Sequence, residues 1–345
     1  MAYPLIIFGA GASYDFSHIG KAGDVAPLTK NLADEKFHHT DLIGKYEGVG
    51  SLLSDIIHQV KNGKNFEDVL SDKSNRAQGS TQLLANLSAL YFYLETLFER
   101  ISTPNDLNRR IHLANNYHII LDRIHEHAEG KALVATFNYD TLFENSLPRG
   151  SAPNSMQDYI SGGIKIIKLQ GSHDWSYVQP VSTEDLQYAK DGFELWMKNP
   201  NVFDNFHIKG HNPRHKNELK TAADNRIGDV HYLQLPALAL PLTGKDRYVC
   251  PESHTQALER ALPEVDRVLI IGWRAGDPLL LKMLKKHLRS MKYKILVVSN
   301  GIESAKEIVN SIKGALGIHY ADISAYKGKG FSGFVSDEIS NTFFA

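Results

Sequence analysis

The stretch KLQGSHDW, residues 168–175, gathers Gln170, Ser172, His173 and Asp174 around one glycine, directly after an apolar run over 164–167 that only Lys165 interrupts. Polar side chains crowded at the end of a buried strand are placed for proton transfer or hydrogen bonding. The two nitrogen-bearing side chains differ in kind. An imidazole exchanges protons near neutral pH, whereas a glutamine amide has two donors and an acceptor but does not titrate there. A second stretch, TFNYDTLFE over 136–144, sets Thr136, Asn138 and Asp140 at alternate positions, so an extended chain turns all three to one side. The other reading is that Asn138 or Asp140 caps a following helix.

Three more strand ends carry small and polar residues. FGAGAS, 8–13, follows the apolar run PLIIF, 4–8. Gly9 and Gly11 let the backbone approach a phosphate, and a helix N-terminus after them favours an anion; alternatively the glycines only link strand to helix. A full dinucleotide fingerprint needs a third glycine where Tyr14 stands and an acid on a second strand about 20 residues on. Neither is present, which disfavours a hydride-transferring dehydrogenase. IIGWRAGDPLL, 270–280, repeats the pattern with Gly272, Trp273 and Arg274 before a helix whose first turn holds Asp277 and Pro278. In VVSNGIES, 297–304, Ser299 and Asn300 either bond a ribose or an adenine or cap a helix beginning near Ile302.

The elements that must hold these residues read as strands over 4–8, 132–137, 164–169, 232–240, 267–272 and 294–299, each β-branched or Leu-rich. Helical patterns follow at about 139–146, 252–262, 277–290 and 302–313, the alternation of a Rossmann-like, doubly wound α/β fold with a parallel sheet. We read 1–345 as a single domain, with a large helical insertion over 30–130 whose apolar spacing is clearest in 51–60 and 83–98 and whose last helix covers about 106–129. Residues 176–230 read as a polar insertion. There His207, His211 and His215 lie four apart, but Gly210 and Pro213 oppose the helix that would align them as metal ligands, so the expectation is a solvated loop and no metal. His125 and His127, two apart on a helix, face differently. A C-terminal helix over 331–345 presents Phe334, Val335, Ile339, Phe343 and Phe344, either to the core or to another copy of the chain.

Composition removes several function classes. Lys plus Arg number 38 against 39 acids, so no global field draws the chain to nucleic acid or an anionic membrane. No apolar stretch approaches the roughly 18 residues that span a bilayer, and the N-terminus runs directly into a strand, so the expected location is cytoplasmic. The single cysteine, Cys250, builds neither an internal disulfide nor a zinc site of several thiolates.

Taken in order, FGAGAS, TFNYD, KLQGSHDW, IIGWRAGD and VVSN resemble the motif series of the sirtuin-like NAD-binding fold, closest to the zinc-free branch in bacterial anti-phage defence. The resemblance implies a phosphate loop of Gly9, Gly11, Ala12 and Ser13, with Asp15 also against the dinucleotide. It matches Asn138 and Asp140 to the family's Thr-x-Asn-x-Asp-like motif, with Asn138 beside the nicotinamide ribose and Asp140 at the carboxamide or the positive transition state. It implies Gly272, Trp273 and Arg274 at the far phosphate and ribose, Ser299 and Asn300 on the adenosine side, and Thr136 and Asp277 as further cofactor-binding residues. It further implies hydrolysis of NAD as substrate to nicotinamide and ADP-ribose, a homo-oligomer, and a separately encoded defence partner such as an ATPase. One departure stands out. The family ordinarily has histidine where this chain has Gln170, and that histidine acts on the ribose hydroxyls. A natural slow homologue, an engineered inactive variant, or relocation of the base to His173 would each account for it. Protein-deacylating sirtuins carry a four-cysteine zinc module, which Cys250 alone cannot build.

Overall fold

The computed structural model describes residues 3–16, 26–34, 40–46, 48–77, 79–103, 115–181, 206–208, 231–242, 247–287, 294–317 and 322–345. Its strands, numbered in chain order among the described residues, are β1 (Tyr3–Phe8), β2 (Ala132–Thr136), β3 (Ile164–Lys168), β4 (Gly171–Val181), β5 (Phe206–Ile208), β6 (His231–Leu238), β7 (Val265–Ile271), β8 (Lys294–Val298) and β9 (Asp322–Ala325). Six form one sheet in the order β3-β2-β1-β7-β8-β9, with every neighbouring pair parallel. This is the doubly wound α/β architecture that the strand patterns imply.

Alternation within the apolar runs builds two cores. Leu5 and Ile7 of β1 join Leu133 and Val268 on one face, packed by the helices Glu252–Ala261, Pro278–His287 and Ile302–Leu316. Ile6 and Phe8 join Val134 and Leu269 on the other, covered by the helix Asn116–His127, the C-terminal residues and the helices of the stretch between β1 and β2. Leu5, Ile6 and Ile7 are wholly buried, and burial of each such side chain contributes about 1.5–3 kcal/mol. The strand that carries the glycine loop is thereby fixed from both sides.

Between β1 and β2 lie the helices Thr40–Ile43, Val49–Lys61, Phe66–Ala77, Thr81–Ser102 and Asn116–His127. Residues 106–114 of the helix expected over 106–129 lie outside the described residues. So do 288–290 of the helix expected over 277–290, along with His211 and His215.

Several expectations are corrected. The run 232–240 supplies β6, which joins not the parallel sheet but a separate antiparallel one ordered β5-β4-β6. A continuous apolar run does not by itself say which sheet a strand joins. β4 begins inside KLQGSHDW and extends into the polar insertion, and His207 lies on the strand β5. No helix forms over 139–146, only a short 3-10 turn at Glu144–Ser146. Side chains satisfy amides that the first turn of a helix leaves unpaired, Asn138 N donating to Thr136 Oγ1 at 3.1 Å, Thr141 N to Ser102 Oγ at 3.0 Å and Leu142 N to Asp140 Oδ1 at 3.2 Å. The α-type bond from Asn145 N to Thr141 O at 2.8 Å gives way to 3-10 bonds at Ser146 and Leu147. The C-terminal helix is two, Gly330–Val335 and Glu338–Phe344, broken where Asp337 caps Ile339 N at 3.0 Å. Phe334, Val335, Phe343 and Phe344 are buried while Ile339 is 41% exposed. No helix among the described residues is long and apolar enough to cross a membrane.

Candidate functional site

From β1 the sheet is laid down first towards β2 and β3 and later, on the other side, through β7, β8 and β9. The direction reverses between β1 and β7, and ligands of open α/β sheets collect outside the carboxyl ends of the strands at such a point. Here the two loops cross backbone to backbone. Gly9 N donates to Ile271 O at 3.0 Å, Gly11 N to Gly272 O at 3.2 Å and Gly272 N to Val298 O at 3.0 Å. Gly272 has φ 65°, and a Cβ on it would lie 2.4 Å from Ala12 N. A Cβ on Gly9 would lie 2.5 Å from Gly272 O. The close approach at these glycines is therefore to each other. The helix that follows, Ala10–Tyr14, is five residues long and has no side-chain cap.

Next to this crossing, the ends of β1 and β2 meet through polar groups. Asn138 Nδ2 donates to Ser13 Oγ at 2.9 Å, and Ser13 Oγ lies 2.9 Å from the Tyr117 hydroxyl. The Ser13 hydroxyl also acts on the Asp140 carboxyl, opposing the upward shift that burial causes. Ser13 Oγ thus accepts from Asn138 and shares a hydrogen bond with Tyr117 in which either hydroxyl can donate. Thr136, Asn138 and Asp140 are all buried, Asn138 at 6% exposure, and Asn138 Oδ1 has no hydrogen-bond partner. Such an orphaned acceptor is costly, about 1–3 kcal/mol of desolvation, and in a native protein calls for an explanation.

The electrostatics come from below. Lys168 closes β3 and is wholly buried; its Nζ donates to Asp140 O at 2.5 Å and to Glu144 Oε1 at 2.7 Å. Burial raises the Asp140 carboxyl above the usual carboxylate range, with the Lys168 charge and the Ser13 hydroxyl opposing. Glu144 is raised for the same first cause, again opposed by Lys168 and reinforced by Asp174. Burial, with Asp140 adding to it, also holds the Tyr117 hydroxyl well above its ordinary value.

Gln170 sits in the turn between β3 and β4, where the Tyr139 hydroxyl donates to Ala239 O at 2.5 Å and lies 3.3 Å from Gln170 Oε1. His173 points elsewhere. Its Nε2 lies 3.3 Å from Thr141 Oγ1 and its backbone N donates to Tyr139 O at 2.9 Å. Ser172 Oγ donates to the same carbonyl at 3.2 Å, while Asp174 Oδ1 is buried without a hydrogen-bond partner.

The remaining expected residues spread along the strand ends. Asp15 accepts from Ser332 N at 3.1 Å and from Ser332 Oγ at 2.7 Å. Trp273 is buried and stacks on Phe137 at 5.3 Å between centroids, and Arg274 is exposed. Asp277 caps the next helix through Leu280 N at 2.7 Å and accepts from the Tyr248 hydroxyl at 2.8 Å. Ser299 Oγ lies 2.9 Å from Ser304 Oγ, and Asn300 is exposed. The structure thus brings Ser13, Asn138 and Asp140 into contact and gives Asp15 and Asp277 partners within the chain. Sequence reasoning missed Tyr117, Tyr139, Glu144 and Lys168. Only Lys168 carried a signal, as a cation closing an apolar strand.

No protein-family model matches the chain, and no curated protein matches it. Solved structures do. A Sir2 homologue in complex with ADP-ribose has 14% identity and a TM-score of 0.41, covering 99% of this chain and 90% of that one. A Sir2 bound to a propionylated peptide has 12% identity and a TM-score of 0.43, covering 99% and 94%. A structure describing the mechanism and regulation of Sir2 enzymes has 13% identity and a TM-score of 0.39, covering 98% and 90%. At this distance the likeness assigns no residue a role.

Proposed function

We propose that the chain binds NAD across the carboxyl ends of β1, β2 and β7 and is built to hydrolyse its nicotinamide–ribose bond, giving nicotinamide and ADP-ribose. The observation that carries this reading is Asn138: a buried amide whose Nδ2 is committed to Ser13 and whose Oδ1 has no partner. An acceptor so held suits a ribose hydroxyl or the attacking water. The motif resemblance set out above supplies the identity of the ligand.

The chemistry asks more for orientation than for acid. As the bond breaks, positive charge builds on the ribose and nicotinamide leaves as a neutral base, as in glycoside hydrolysis. Water then adds to the anomeric carbon and releases a proton. Asn138 Oδ1 would accept from that water or from a ribose hydroxyl, and fixing that geometry is a large part of catalysis. Asp140, two residues on from Asn138, would place a carboxyl near the developing cation. Gln170 cannot take the proton. General-base catalysis contributes about 10²- to 10⁴-fold, so a pocket with glutamine at that position would turn over slowly. Gly9, Gly11, Ala12, Ser13 and Asp15 would lie at the phosphates on one side, with Gly272, Trp273, Arg274, Asp277, Ser299 and Asn300 towards the adenosine. Deacylation is disfavoured because Cys250 cannot make a four-cysteine module. The defence reading adds NAD depletion by a homo-oligomer under the control of a separately encoded partner such as an ATPase.

Gln170 itself favours a second reading, a module that binds NAD or ADP-ribose without turnover, because nothing at that position titrates. One experiment separates the two. Nicotinamide release from NAD is measured for the unsubstituted protein, for Gln170→His and for Gln170→His with Asn138→Ala. Release by the histidine form that the alanine abolishes supports a hydrolase pocket. Binding of NAD without release from any form supports the module, and absence of NAD binding removes both.

A further inference from the structure

We infer that Lys168 is a positioning residue that holds the loop Asn138–Leu142 in the geometry its ligand meets; this rests on the reading of Asn138 above. That loop is not a helix and has no ladder of its own. Its amides bond to Thr136, Ser102 and Asp140 side chains. Beneath it lies Lys168, whose Nζ donates to the carbonyl of Asp140 at 2.5 Å and to Glu144 Oε1 at 2.7 Å. Glu144 lies two residues beyond the loop and Asp140 at its middle, so one ammonium ties the centre of the loop and the chain just after it to the end of β3.

The placement is demanding. A wholly buried ammonium requires a compensating charge, and Glu144 supplies it. The hold on Asp140 O then fixes Asp140 and, two residues back, Asn138, whose Nδ2 reaches Ser13. Lys168 touches neither Asn138 nor the space beside its Oδ1 through any hydrogen bond it makes, so its influence passes through the backbone. A hydrophobic side chain closing β3 would bury as well but would leave the Asp140 carbonyl without this donor.

The test uses the full chain. Lys168→Met alone strands Glu144 and risks unfolding, so the informative variant is Lys168→Met with Glu144→Met, since replacing a buried ion pair by apolar residues of similar size is often neutral. Lys168→Arg keeps a cation and donors. Amide hydrogen exchange is followed at Asn138, Thr141 and Leu142 with Leu133 and Val134 of β2 as internal reference, and affinities are measured for ADP-ribose and for AMP. The expected result for the double variant is a loss of loop protection of about tenfold, the size of one hydrogen bond, with β2 unchanged. ADP-ribose binding weakens by about the same factor while AMP binding holds, because the loop faces the distal ribose that AMP lacks, and Lys168→Arg restores part of both. Loop amides as protected as in the parent, or ADP-ribose affinity within about twofold of it, overturns the assignment, since a lost hydrogen bond exceeds that change. If the parent binds neither nucleotide while the loop still loosens, the nucleotide reading fails and the hold of Lys168 on the loop stands.

Discussion

Asn138 and Ser13 are 125 residues apart in the chain and join at 2.9 Å, Nδ2 to Oγ, linking the end of β2 to the short helix after β1. Because Asn138 Oδ1 is buried without a partner, the residue is worth less to the empty protein than its burial suggests.

Asn138→Ala therefore separates stability from binding. It removes a hydrogen bond worth about 1 kcal/mol and an orphaned acceptor that costs about 1–3 kcal/mol, so the two nearly cancel. The expected unfolding free energy lies within about 1 kcal/mol of the parent, while ADP-ribose affinity falls about tenfold. Equilibrium unfolding beside calorimetric titration checks both. A strongly destabilised Asn138→Ala would show that the amide serves packing.

The loop crossing at Gly272 makes a steric prediction. Gly272→Ala puts a Cβ 2.4 Å from Ala12 N at φ 65°, where the left-handed conformation alone costs about 1–2 kcal/mol and the backbone clash adds more. The expected loss is about 3–5 kcal/mol. Gly276→Ala, four residues on with nothing within 4 Å, is expected to stay within about 0.5 kcal/mol. Chemical denaturation of the two variants provides the comparison.

How far the sequence revealed this arrangement depends on the range of the forces involved. The parallel strands were legible because Leu5–Phe8, Leu133–Ala135 and Val268–Ile271 are apolar without a break, the mark of burial on both faces. The contact of Asn138 with Asp140's neighbour Ser13 was foreshadowed by polar residues at two strand ends. What stayed hidden was non-local. Nothing near Tyr117 marks it as the second partner of Ser13, and nothing in 136–144 says that Ser102 and Lys168 will bond its backbone. β4 was concealed by its polar composition, and β6 by looking like any buried strand.

The buried acids set a pH dependence. Burial raises Glu144 above its unfolded value despite Lys168, and Asp140 shifts the same way. A carboxyl raised in the folded state binds its proton more tightly there than when unfolded. Its contribution is thus complete below the unfolded value, about 4.3 for glutamate, and is lost as pH rises through the folded value. Stability of the parent relative to Glu144→Gln is expected to decline as pH rises from about 4.3, because the amide has no proton to lose. Urea midpoints taken across pH 4 to 8 read this directly, and a difference that grows with pH would reverse the sign assigned to Glu144.

Asp15 offers the last prediction. Both of its carboxylate oxygens are engaged by Ser332, through N at 3.1 Å and Oγ at 2.7 Å, and Asn116 Nδ2 bridges Asp15 O at 2.6 Å and Ser332 Oγ at 2.9 Å. This node clamps the helix Gly330–Val335 beside Phe8 and Tyr117, against which Phe331 packs at 6.0 and 5.4 Å between centroids. Hydrogen bonds to a charged group contribute about 1.5–3 kcal/mol, and an amide keeps one acceptor, so Asp15→Asn is expected to cost about 1–2 kcal/mol. Ser332→Ala should cost a similar amount, and the double variant should cost clearly less than the sum, since both remove the same bond. ADP-ribose affinity is expected to fall less for Asp15→Asn than for Asn138→Ala, because the carboxylate is already satisfied within the chain. Additive costs together with an affinity loss equal to that of Asn138→Ala would mean instead that Asp15 leaves Ser332 to meet the nucleotide.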